Sequence, residues 1–169
     1  MGYIKESKVI AISVSEKKGI KKKNIPEAEL IQDLGVKGDA HAEGGIRQVS
    51  LLAQESIDKM RKKGLNVNPV RSKTRTQAYA TSNGVKAGDF AENITTKGID
   101  LLKLPVGTQI KIGETSLLEI SQHGKTCHSR CAIYYSAGDC VMPKEGVFAR
   151  VIKGGVIKIE DTIHLLEIK

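Results

Sequence analysis

All three cysteines of the 169-residue chain lie in HGKTCHSRCAIYYSAGDC, residues 123–140, together with two of its four histidines. Thiols and imidazoles gathered this closely suit a metal site, a reactive thiol or a core cluster. The cysteines are spaced Cys127-x3-Cys131-x8-Cys140. Structural zinc wants two close ligand pairs, and here His123 or His128 would have to complete a mixed set. Iron–sulfur clusters need four ligands at spacings that are absent. A nucleophilic cysteine needs neighbouring cations that favour its thiolate. Cys127 has Lys125, His128 and Arg130 beside it and no adjacent acid. It therefore reads as an activated thiol, able to attack sulfur or bind a soft metal. Cys131 leads into apolar Ala132-Ile133-Tyr134 and is expected to be partly buried. Cys140 follows Asp139, which disfavours a thiolate, and reads as a small packing residue.

Other polar groups have two readings each. Gly38-Asp39-Ala40-His41 pairs an acid with an imidazole between flexible residues, which suits catalysis or an ordinary Asp-stabilised turn. Arg47 leaves the same loop and suits a phosphate. Asn93, Thr95 and Thr96 suit a polar ligand or a turn. Lys17, Lys18, Lys21, Lys22 and Lys23 form a dense basic cluster, read as a solvated loop. Arg61, Lys62 and Lys63 sit where a helix C-terminus welcomes cations. The net charge of +8 admits a nucleic acid or a phosphorylated ligand. Few aromatics interleave the charges, so base stacking is disfavoured and a nucleic-acid partner is not expected.

These groups need a scaffold. The length suits one domain, residues 1–169, with enough core to fold without disulfides or metal. There is no Trp, and the two Phe and four Tyr leave Ile, Val and Leu to fill the core, which favours strands. Residues 7–14, SKVIAISV, read as the first strand. KKGIKKKN follows as a loop or hairpin turn, and 26–34 has no clear assignment. QVSLLA, 48–53, is a strand or the lead into a helix over 50–63, capped by Ser50 and ended by Gly64. Residues 66–86 read as a long basic loop, a length that is uncommon unless functional or disordered. From GDFAENITT onward, short alternating segments separated by Gly and Pro turns suggest a barrel or sandwich with one or two helices. No apolar run nears the ~20 residues that span a bilayer, and the N-terminus is too polar for a signal peptide. The expectation is a cytoplasmic protein, not membrane-bound, with reduced thiols.

GDAHAEGGIRQVSLLAQESID, GDFAENITTKGIDLLKLPVGTQIKIG, LLEISQHGKTCHSRCAIYYSAGDCVMPKEGVFARVIKGG and IKIEDTI together resemble a MOSC domain. This is the domain at the C-terminus of molybdenum cofactor sulfurases, also found in small stand-alone bacterial proteins. The resemblance runs over nearly the whole chain except 66–86. It implies a mainly β, α+β fold of MOSC β-barrel type with a few peripheral helices. It also implies binding of molybdenum cofactor and transfer of sulfur for metal–sulfur centres. In amidoxime-reducing members a cysteine ligates molybdenum. An ungapped match of LLEISQHGKTC places that cysteine at Cys127, and the competing register places it at Cys131. The family's Gly-Asp falls on Gly38 and Asp39, its basic residue on Arg47, and its Glu-Asn turn on Glu92 and Asn93, followed by Thr95 and Thr96.

Two departures stand out: 66–86 reads as an insertion, and Ala91 replaces a common glycine. No aminotransferase-like segment is present, so the chain gives no support for pyridoxal phosphate. The resulting expectation is a molybdenum-cofactor-binding or sulfur-carrier protein. Cys127 would be metal ligand or sulfur acceptor, Arg47 or Lys125 would take the phosphate, and His123 and His128 would tune the thiol. Its partner would be a molybdoenzyme or a sulfur-donor protein. The alternatives are a molybdenum-dependent reductase of N-hydroxylated compounds, or a non-catalytic adaptor for a molybdoenzyme.

Overall fold

A computed structural model describes residues 6–62, 85–127, 129 and 140–166. Cys131, His128 and almost all of loop 66–86 lie outside these residues. Strand β1 (Lys8–Val14) turns through the lysine-rich hairpin into β2 (Lys23–Ile25). β3 (Glu27–Ile31) and β4 (Gly35–Val36) follow, then β5 (Val49–Ala53), which runs into helix α1 (Gln54–Lys62). β6 (Ile94–Lys97) precedes a 3-10 turn (Leu101–Lys103). β7 (Gln109–Ile112) and β8 (Ser116–His123) form a hairpin. Short helix α2 (Met142–Glu145) leads into β9 (Val147–Lys153), β10 (Gly155–Lys158) and β11 (Ile163–Leu166).

The α+β class is as the sequence implies, but the barrel is not closed. The large sheet has the order β11-β7-β8-β9-β5-β6-β1-β2, beside a second sheet β10-β3-β4. Between β11 and β1 the ladder is missing. The two meet through one isolated bridge, Lys8 to Thr162, with Ile163 N–H donating to Ser7 O at 2.7 Å. Register shifts interrupt both the β8–β9 and the β1–β6 ladders, and irregularities of this kind bend the strands that carry them. No helix among the described residues is long and apolar enough to cross a membrane.

Burial explains which strands read clearly. β7 and β8 alternate buried and half-exposed residues, so one face meets the core. β5 does not alternate, because it is buried on both faces. Val49 and Leu51 enter the main core with Ile94, Ile120 and Ala149. Leu52 faces the other way, into a second cluster with Ile57 and Met60 of α1, Phe90, Met142 and Phe148. Each fully buried Leu contributes about 1.5–3 kcal/mol. This double burial also corrects the helix expectation: Ser50 caps nothing, because it lies inside β5 and the helix begins at Gln54. The second cluster matters most for function, since its Phe90, Met142 and Phe148 also form one side of a surface cavity.

Candidate functional site

That cavity has a volume of about 110 Å³. Cys127, Lys125, Arg47, Asn93 and His41 line it together with the three apolar side chains, and Gly19 of the hairpin closes one side. A larger cavity of about 300 Å³ between α1 and the 3-10 turn contains neither Cys nor His.

Cys127 is exposed at the mouth. The segment that carries it leaves β8 and is pinned to α2: Gly124 N–H donates to Gly146 O at 2.6 Å, and Lys125 N–H donates to Pro143 O at 3.2 Å. Gly124 is required there. Its φ is +59°, and an added Cβ would stand 2.4 Å from Pro143 O. Gly124→Ala is therefore expected to destabilise by about 1–3 kcal/mol and to shift the Cys127 segment. Thermal melts and the iodoacetamide alkylation rate of Cys127 measure the two effects, and an unchanged rate would contradict this role.

Arg47 reaches the cavity from the loop before β5. Its Nε donates to Gln122 Oε1 at 3.2 Å, and its guanidinium lies 5.8 Å from the Phe148 ring centre. Gln122 Nε2 in turn donates to Gly124 O at 2.8 Å. Ser121 Oγ donates to Ile46 O, tying the same two segments. Arg47 and the thiol segment are thus held by one short network, leaving guanidinium N–H groups for an anion.

Beneath His41 lies a buried ion pair. Lys22 Nζ is 2.6 Å from Asp39 Oδ1, and both side chains are fully buried. Lys22 also meets Ser15 Oγ at 3.2 Å and His41 Nδ1 at 3.3 Å. Asp39 accepts from Ser15 N–H and His41 N–H, each at 3.0 Å. Burial opposes ionisation of Asp39, but the donors from His41, Lys22 and Ser15 outweigh it and hold its carboxyl well below the usual range. Lys22 has fewer compensating partners. Its burial, aided by repulsion from Lys125, prevails over Asp39 and lowers its pKa. The reading of the lysine cluster as a solvated loop thus fails at Lys22, which locks the hairpin against the 38–41 loop.

The remaining candidates hold the scaffold. Asn93 is buried, and its side chain accepts from Ser50 N–H and Ser50 Oγ and donates to Ser13 O, each at 3.1 Å. It stitches β1, β5 and the entry to β6. Thr95 is buried and donates to Glu92 Oε1 at 3.1 Å. Gly38, exposed with φ +81°, lines a neighbouring groove instead of the thiol cavity. Ala91 takes φ +63°, the left-handed region where glycine is at ease, so its substitution carries strain of about 1–2 kcal/mol. His123 is drawn away, with Nε2 2.6 Å from Leu104 O. His41 is the described imidazole that lines the cavity; the sequence left it divided between catalysis and a turn. Cys140 packs against the Phe90–Met142–Phe148 cluster.

Glu92 escaped the sequence reading as an ionisable group. It is fully buried, Oε1 accepts from Gly88 N–H at 2.6 Å, and Oε2 has no hydrogen-bond partner among the described residues. Burial pushes its pKa up to about 7, against the pull of the Gly88 and Thr95 donors. Below about pH 4.5 the carboxyl is neutral folded or unfolded. Between there and about 7 the unfolded chain releases its proton first, so stability falls as pH rises, by about 3 kcal/mol in all. Glu92→Gln should be near wild type at pH 5 and about 2–3 kcal/mol more stable at pH 8. Urea unfolding at both pH values measures this, and equal stability at pH 8 would refute it.

The family model for the MOSC domain matches residues 38–164, which include Arg47, Asn93 and Cys127. The chain belongs to the MOSC domain family. Several solved structures are similar over almost all of it. The YuaD protein from Bacillus subtilis has a TM-score of 0.67 at 16% identity, with 95% of this chain and 97% of that one covered. YiiM from Geobacillus stearothermophilus gives 0.67 at 18%, covering 95% and 75%. YiiM from Escherichia coli gives 0.61 at 19%, covering 96% and 71%. At these identities the likeness shows a shared fold. No curated protein sequence matches the chain.

The MOSC family is linked to the molybdenum cofactor sulfurase C-terminal domains, and the cavity's chemistry can be tested against that cofactor. Among the described residues no three His, Cys, Asp or Glu side chains converge to hold a bare metal ion. A metal that arrives already ligated needs only one further soft donor, and Cys127 is one. Arg47 and Lys125 supply the cations that an attached phosphate requires. The cavity is smaller than the ~300 Å³ at which ligand pockets usually begin. It therefore takes a group of a few atoms, with the bulk of a pterin outside it. On donor set and charge, this MOSC site fits the cofactor's metal–sulfur end.

Proposed function

We propose that this MOSC domain binds molybdenum cofactor and carries sulfur on Cys127. The observation that carries the proposal is an exposed thiol opening onto a cavity shared with Arg47 and Lys125. When bound, the cofactor supplies a soft metal–dithiolene end and an anionic phosphate end. Cys127 is the group that meets the soft end or holds the travelling sulfur. In loading, its thiolate attacks the outer sulfur of a donor persulfide. A new S–S bond forms on Cys127, the donor's S–S bond breaks, and the donor departs as a thiolate. Arg47 and Lys125 receive the anion. Phe90, Met142 and Phe148 keep water off one side of the thiol. The partner implied is a sulfur-donor protein or a molybdoenzyme that receives the product.

Gel filtration of the protein mixed with purified cofactor tests the reading by pterin fluorescence. Co-elution is expected, and Arg47→Gln should weaken it about tenfold, as loss of one charged hydrogen bond does. Failure of the wild type to retain any pterin would reject cofactor binding.

A further inference from the structure

Behind the hairpin that closes the thiol cavity lies a second concavity, of about 500 Å³. The β1–β2 register builds its floor. Val14 stands opposite Lys23, and Ile12 opposite Ile25, so Val14, Lys23 and Ile25 share one face of the ribbon. Ser13 and Asn24 occupy the other face and bond each other at 2.7 Å. Ile20, Lys17 and Lys21 complete the groove, with Glu16 as its one acid.

The five hairpin lysines divide by role. Lys22 is buried on Asp39, and Lys18 pairs with Glu43 at 2.6 Å. Lys21 stands 3.9 Å from Asp89, too far for a strong pair. Lys17 and Lys23 form no ion pair with any described residue, and both line the groove. Uncompensated like charges held side by side repel each other and are stabilised by a bound anion. Three lysines against one acid match a ligand with two or more negative charges, and the aliphatic floor of Val14, Ile20 and Ile25 matches an uncharged body. The volume lies in the range of small-molecule sites. The hairpin is also preorganised. Lys22 N–H donates to Gly88 O at 2.9 Å, Ala40 N–H donates to Ser15 O at 2.8 Å, and the buried Lys22–Asp39 pair fixes it from within.

The geometry points to a second binding site in this groove, for a phosphorylated small molecule of nucleoside diphosphate size. Lys17, Lys21 and Lys23 hold the phosphates, and Val14, Ile20 and Ile25 carry the apolar body. The site does not depend on Cys127, nor on the reading of the thiol cavity.

Calorimetric titration of the full chain with pyrophosphate and with ADP, at low and moderate salt, tests it. Both should bind, more weakly as salt rises, and ADP at least about threefold tighter than pyrophosphate because of the aliphatic floor. Lys17→Gln/Lys23→Gln should weaken both at least about tenfold, consistent with two lost charge contacts. Ile20→Ser should erase the preference for ADP. Arg47→Gln, which alters the thiol cavity and not the groove, should still bind both ligands. These positions are on the surface, and an unchanged melting temperature would confirm that the variants fold. Absence of binding by the wild type would overturn the proposal. Full binding by the double lysine variant would do the same, as would loss of binding in Arg47→Gln, which would place the anion in the thiol cavity instead.

Discussion

Cys127→Ser should lose sulfur loading almost completely while leaving the fold intact. Exposure of the reduced protein to a small persulfide is expected to add about 32 Da, one sulfur atom, to the peptide that contains Cys127. In the serine variant that adduct should fall at least about tenfold at this position, since a hydroxyl cannot form the S–S bond. Cys127 is exposed, so the substitution should change stability by no more than about 0.5 kcal/mol, or about 2 °C in Tm. Loss of loading with an unchanged melt separates a working thiol from a structural one. An adduct that stays at wild-type level and maps to Cys131 would shift the assignment to the other register.

The largest effect on stability is expected at Lys22. Lys22→Met removes the cation from a pair whose two side chains are fully buried and 2.6 Å apart. Asp39 is then left as a buried charge without the cation that faced it. Breaking such a pair costs about 3–5 kcal/mol, which for a chain of this length lowers Tm by about 6–20 °C. Lys22→Met/Asp39→Asn should be less damaged than Lys22→Met, because the asparagine oxygen can still accept from Ser15 N–H and no charge is stranded. The pH dependence follows from the lowered Asp39 carboxyl. In the wild type its contribution is complete above the ordinary value of 3.8 and is lost as pH falls through the folded value. Without Lys22 the folded value rises toward the unfolded one, so Asp39's share of the acid sensitivity should shrink and the stability of Lys22→Met should fall less steeply than that of wild type below about pH 4. Urea titrations from pH 3 to 7 measure both effects, and a Lys22→Met cost below about 1 kcal/mol would refute the lock. Because the hairpin supplies Gly19 and the 38–41 loop supplies His41, the lock also sets the thiol cavity's outer wall.

Local pattern carried much of this architecture. β7 and β8 alternate strongly enough to be read from residue type alone, and β1 is legible from its β-branched residues. β5 resists that reading because both of its faces are buried, so VSLLA has the look of a helix start. β3 was hidden by Pro26 on one side and by its exposed glutamates, although Ala28 and Leu30 point inward. Closure of the sheet depends on whether β11 and β1 pair along their length, which no local segment encodes.

The site divides in the same way. Cys127, Lys125 and Arg47 stood out by residue chemistry, and the fold brings all three to one cavity. Cys131 and His128 lie outside the described residues. Lys22 looked like its four lysine neighbours, since its distinction comes from Asp39, seventeen positions away. His41 could not be preferred over His123 until the structure placed His123 on Leu104 O. Gly124 became important only through its contact with Pro143, which comes from the far side of the cysteine-rich segment.

The most direct test is the molybdenum content per chain of protein purified from cells that make the cofactor, for wild type, Cys127→Ser and Cys131→Ser. Molybdenum is expected with the wild type and with Cys131→Ser, and little with Cys127→Ser. Equal molybdenum in wild type and Cys127→Ser would remove Cys127 as the ligand.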